Sequence, residues 1–113
     1  SEIAVLLAEQ LFQNSDREIC LCCSLNNKNV LQTIEIVSIG TVNTCVVGVA
    51  EAFKTAIVSN AIGIILLHNH PSGSCSPSKE DIALTRRFYE AGKLLGIQLH
   101  DHIICGRNGK LKL

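Results

Sequence analysis

Charge of neither sign dominates this chain: ten Lys and Arg balance ten Asp and Glu over 113 residues, and the net charge is zero with His neutral. Binding nucleic acid by neutralising phosphates needs a basic surplus. Beyond Arg86-Arg87 and the tail Lys110 and Lys112 no basic cluster stands out, so composition gives that function class little support. No apolar run approaches the roughly 20 residues of a membrane-crossing helix, although 47% of residues are hydrophobic, and the chain reads as soluble, with no membrane partner expected. It opens at Ser1 with neither an initiator Met nor a charged-then-apolar leader, as expected for a piece of a longer protein. Repeats, linkers and low-complexity tracts are missing too, and one domain over residues 1–113 is the expectation.

What is there begins with six cysteines, at 20, 22, 23, 45, 75 and 105. Cys20, Cys22 and Cys23 lie in an apolar, strand-like stretch, which points to reduced core thiols and a cytosolic setting. Cys75 differs, because it follows His70 and precedes Asp81, where a thiolate would compete for a metal. Residues 2–13 place Ile3, Leu6, Leu7, Leu11 and Phe12 at helical spacing, with Glu2, Glu9 and Gln10 outside. Residues 18–25 and 30–39 read as a β-hairpin about the Asn26-Asn27-Lys28-Asn29 turn. Residues 45–49 read as a short extension, and 50–60 as a helix carrying Ala52, Phe53, Ala56 and Ile57. The run 62–70 is apolar on both faces, the mark of a central strand covered on each side. A long helix then starts at Ser78, carries Ile82, Leu84, Thr85, Phe88, Ala91 and Leu95, and ends at Gly96. Residues 98–105 alternate as a further strand before a turn at 106–109. Helices alternating with a buried sheet predict an α/β layered domain.

His68 and His70 close the central strand two residues apart, so both imidazoles face the same side. A Pro/Gly/Ser-rich turn returns Asp81 as a third ligand, leaving a fourth tetrahedral position for water. That is the donor set of a catalytic zinc, which brings the pKa of bound water to about 7. Cleaving an amide also needs a carboxylate that is not a ligand, to take the proton and hand it to the leaving amine. Glu18, at the start of the first strand, is the best-placed acid. Ser78, at the mouth of the long helix, is a candidate donor to the developing oxyanion.

With Glu18 upstream, His68-Asn69-His70-Pro71 followed by Ser78 and Asp81 resembles the JAMM/MPN+ metalloprotease motif. Wider stretches narrow the match: Gly40-Thr41 with Asn43, His68 to Gly73, Asp81 to Arg87, Glu90-Ala91-Gly92, Leu95-Gly96-Ile97 and Asp101-His102-Ile103-Ile104. Together these resemble the RadC family of bacterial proteins, named for DNA repair, from about residue 18 to 106. The resemblance implies a cytidine-deaminase-like three-layer α/β/α sandwich with a mixed central sheet. It also implies zinc on His68, His70 and Asp81, with Glu18 as general base and Ser78 as oxyanion donor. A peptide or isopeptide hydrolase acting on a peptide or protein substrate is the expected function. The rivals are a DNA-repair protein, with DNA held through a flanking helical module, and a non-catalytic interaction domain. Two departures are noted: the helical DNA-binding module usual upstream in that family is absent from this chain, and the chain stops at Leu113, where the family usually continues into a further strand.

Plainer readings stand beside these. Ser78 and Asp81 match a helix capping pair, and a glutamate at a strand start is most often a solvated edge residue. His100-Asp101-His102 repeats the i, i+2 geometry without the turn or a third ligand. Asp101 and His102 read as buried polar groups or as partners of the ligands, and His100 as surface. Arg86, Arg87 and Glu90 read as a solvated helix face.

Overall fold

The computed structural model describes residues 2–13, 15–39, 48–71, 75–106 and 109–112. In chain order they form α1 (Glu2–Phe12), β1 (Ile19–Leu25), β2 (Leu31–Ile39), α2 (Val49–Val58), β3 (Gly63–Asn69), α3 (Lys79–Leu95), β4 (Gln98–Gly106) and β5 (Gly109–Lys112). One five-stranded sheet runs in the order β2-β1-β3-β4-β5, so the run chosen as central is central. The sheet is mixed: β1 pairs antiparallel with β2 and β3, β3 pairs parallel with β4, and β5 closes antiparallel on β4. The parallel pair requires a crossover, and α3 supplies it. Of the extension read at 45–49, residues 45–47 lie outside the described residues and Val49 opens α2. The strand at 98–105 is followed by β5, which the pattern missed.

All seven residues of β3 are buried, which its two-sided apolar pattern demands. One face places Ile64 and Leu66 with Cys20 and Cys22 of β1, against Ala52, Phe53 and Ala56 of α2 and Phe88 of α3. Phe53 and Phe88 stack there with ring centroids 5.5 Å apart. The other face places Ile65, Leu67, Leu21 and Cys23 against Ala8 and Phe12 of α1. Burial pushes the Cys22 and Cys23 thiols up to about 12, consistent with inert core residues.

Two helical faces differ from the expected ones. In α1 Leu6, Leu7 and Leu11 are exposed, while Ala8 and Phe12 are buried and Val5 packs beside them. Residues 5, 8 and 12 make a helical stripe as good as the expected one, and a helix apolar on nearly every side does not reveal which stripe meets the sheet. In α3 Ile82 and Leu95 are half exposed. Ile82 lies about 120° around the helix from the buried Phe88 by the 3.6-residue repeat. Gly92, absent from the expected stripe, is buried where a Cβ would fall 2.2 Å from the Ile97 carbonyl oxygen, so α3 reaches β4 through a residue without a side chain. Gly96 ends the helix in the left-handed region at φ 74°. No helix among the described residues is long and apolar enough to cross a membrane.

Candidate metal centre

The antiparallel register of β1 on β3 sets Cys20 opposite His68. Two residues further out, Glu18 faces His70, on the side of the sheet that both histidines share. A backbone bond from His70 N–H to the Cys105 carbonyl, 3.0 Å, carries the β3–β4 pairing one residue beyond the strand and holds His70 in place.

His68 Nε2 lies 3.0 Å from Asp81 Oδ1 and 3.1 Å from His70 Nε2, and His70 Nε2 lies 3.0 Å from Asp81 Oδ2. These three side chains are the group of metal-ligating type among the described residues. Tetrahedral ligands about a zinc at 2.0–2.1 Å stand about 3.4 Å apart, so a small outward shift of the side chains admits the ion. Two imidazole nitrogens and one carboxylate leave one position open. The donor set therefore fits a hydrolytic metal, and Cys75, half-buried, is not in the group.

Asp81 does double duty. Ser78 Oγ accepts from the Asp81 N–H at 3.0 Å, and Asp81 Oδ2 accepts from the Ser78 N–H at 2.8 Å, a complete capping box at the start of α3. The capping reading of Ser78 is thus shown; its hydroxyl serves there as acceptor, and the proton it carries is not spent on the cap. Burial pushes the Asp81 carboxyl up, but hydrogen bonds from His68 and Ser78 and the neighbouring imidazole charge outweigh it, and the net pKa sits well below the usual carboxylate range. Glu18 Oε1 lies 3.9 Å from His70 Nε2. Burial raises the Glu18 pKa, a rise that the two histidines oppose and Asp81 reinforces.

Behind the ligands His102 is fully buried, with Nε2 2.8 Å from His68 Nδ1 and Nδ1 2.6 Å from Thr85 Oγ1. Burial first, and the neighbouring His68 second, bring its pKa down to about 4, so it is neutral at pH 7. His100 is exposed, as are Arg86, Arg87 and Glu90.

Asn69 is the residue that sequence reasoning missed. It points to the opposite face from its neighbours, where Oδ1 accepts from the Ile19 N–H at 2.6 Å and Nδ2 donates to the Arg17 carbonyl at 2.9 Å. One side chain thereby grips the backbone on both sides of Glu18. Its position between His68 and His70 was the available signal, since alternation turns it away from the face they share. A cleft of about 720 Å³ opens beside it, lined in part by Leu6, Gln10, Phe12, His70 and Pro71.

An α/β domain with a His-His-Asp group that could hold a metal ion at the end of its central strand defines the class. The chain matches the RadC-like JAB domain model over residues 1–112 and belongs to that family. It is 49% identical over 107 residues to a UPF0758 protein of Desulforamulus reducens, covering 95% of this chain and 47% of the relative. It is 45% identical over 101 residues to a UPF0758 protein of Methanosarcina barkeri, covering 89% and 43%. A UPF0758 protein of Staphylococcus carnosus is 51% identical over 82 residues, covering 73% and 36%. The chain thus spans less than half the length of these relatives.

Proposed function

We propose that this chain is a zinc-dependent hydrolase of peptide or isopeptide bonds. The observation that carries the reading is the convergence of His68 Nε2, His70 Nε2 and Asp81 with a non-ligand carboxylate, Glu18, 3.9 Å from His70. A bound zinc would lower the pKa of water toward neutrality and polarise the scissile carbonyl. Glu18 takes the proton of the attacking water and delivers it to the leaving nitrogen, a task that suits a carboxyl whose pKa is raised. Ser78, free to turn its hydroxyl proton outward while Oγ caps α3, donates to the developing oxyanion. The expected substrate is a peptide or protein segment that reaches Glu18, His70 and Ser78 from the open side of the group. In the same reading the helices on the two faces make the cytidine-deaminase-like sandwich, and the buried cysteines suit a reducing cytoplasm.

The test uses the full chain, zinc analysis, and hydrolysis of a fluorogenic peptide library and an ε-lysyl isopeptide. Native protein should hold one zinc and turn over. Glu18→Gln should hold the same zinc and lose about 10²- to 10⁴-fold in rate, and His70→Ala should lose the metal. Equal rates for native and Glu18→Gln would refute the assignment.

A further inference from the structure

Four groups run in single file from the backbone of α3 to the metal group. Thr85 Oγ1 is 2.9 Å from the Asp81 carbonyl oxygen one helical turn earlier, and 2.6 Å from His102 Nδ1. His102 Nε2 is 2.8 Å from His68 Nδ1, and His68 Nε2 is 3.0 Å from Asp81 Oδ1. The file starts and finishes on one residue: the Asp81 carbonyl terminates it, and the Asp81 carboxylate lies beside His68 where the two would share a cation.

Once a cation replaces the proton through which His68 Nε2 bonds Asp81, both ends impose the same polarity. A carbonyl oxygen can only accept, and a threonine hydroxyl has one proton to give. With that proton on the Asp81 carbonyl, Thr85 Oγ1 is left as an acceptor and His102 must donate from Nδ1. A neutral imidazole protonated on Nδ1 has a bare Nε2, so His102 accepts from His68 Nδ1–H. His68 then carries no proton on Nε2, the nitrogen that faces Asp81 and His70. A cation, which takes only lone pairs, makes the same demand from the other end. Reversing the file would strip the Asp81 carbonyl of the threonine proton and place a proton on the ligating nitrogen.

We propose that Thr85 and His102 are positioning residues that fix the His68 tautomer, so that His68 offers Nε2 to the metal. The inference rests on the metal reading above and adds to it two residues that touch neither metal nor substrate. Partners of this kind are worth about 10- to 100-fold in metal affinity.

The decisive comparison is Thr85→Val against Thr85→Ser in the full chain, with zinc affinity measured by competition with a chromophoric chelator. Valine keeps the shape and removes the hydroxyl; serine restores it. Thr85→Val should bind zinc about 10- to 100-fold more weakly, and Thr85→Ser should stay within about threefold of native. Ring-nitrogen NMR of the zinc-loaded native chain supplies a second readout that needs no variant to fold: His102 should be protonated on Nδ1 and bare on Nε2, and His68 protonated on Nδ1. Native affinity in Thr85→Val, or a proton on His102 Nε2, would overturn this inference and leave the metal site standing. Absence of zinc binding by the native chain would overturn both.

Discussion

Replacing Asn69 with alanine should loosen the strand end that bears Glu18 while leaving every metal ligand in place. Two hydrogen bonds are lost, at 2.6 and 2.9 Å, from a side chain only 4% exposed. Each is worth about 1 kcal/mol net, and a buried partner left unpaired costs about 1–3 kcal/mol. The Arg17 carbonyl belongs to an exposed residue and can turn to water, whereas the Ile19 N–H is half-buried and cannot do so fully. The expected total is therefore about 2–3 kcal/mol rather than the sum of two full penalties. Urea titration measures it directly, and amide hydrogen exchange across residues 15–19 should accelerate. Zinc content should not change, but hydrolysis should fall by about 10²-fold, the usual consequence of a reacting group displaced by about 1 Å. In a Glu18→Gln background the same substitution should have no further effect on rate, because Asn69 acts through Glu18. A urea midpoint within about 0.5 kcal/mol of native, with unaltered exchange at residues 15–19, would refute the tether.

His102 ties stability to pH. Its folded pKa, about 4, lies below the 6.5 of the unfolded chain, so the unfolded state takes up the proton first. The stabilisation is complete above pH 6.5 and drains away as pH falls toward 4, by about 2 kcal/mol at pH 5; urea midpoints of the metal-free chain at pH 7 and 5 should show it, and His102→Leu should abolish it. Ser78→Ala separates two roles: loss of the cap costs about 1 kcal/mol in stability, and an oxyanion role adds a drop of about 10²- to 10³-fold in turnover, so native turnover would leave only the cap. Because the Glu18 pKa is raised, the acid limb of the rate profile should fall at a pH above the ordinary carboxylate value of 4.5, and a limb at or below that value would contradict Glu18 as base.

Much of the sheet was legible because β3 is apolar on both faces and only a covered strand tolerates that. The pairing of its two histidines was legible for a related reason: period-two spacing puts residues 68 and 70 on one side whatever the rest of the fold does. The orientation of α1 was not, since Leu6, Leu7 and Leu11 are as apolar as Val5, Ala8 and Phe12, and the few polar residues Glu2, Glu9 and Gln10 leave more than one stripe able to meet the sheet. Asn69 stayed hidden because its partners are backbone atoms about fifty residues away, which carry no chemical signature in the sequence. Thr85 was placed on the inner stripe of α3 for its shape, but what its hydroxyl meets depends on how β4 lies beside β3, and that register contains a shift between Ile64 and Ile65 that no local pattern foretells.

Glu18 and the histidines sit at the ends of adjoining strands of one sheet, tied together by Asn69. In the proposed reaction the acid and the imidazoles would therefore be in place before any substrate arrives, with the accuracy of a sheet rather than of a moving flap. Surface outside the sheet can be rewritten for a new cargo without retuning this machinery, yet deleting one residue from either strand would turn the acid or the imidazoles to the wrong side. Selectivity is free to drift where the chemistry is not.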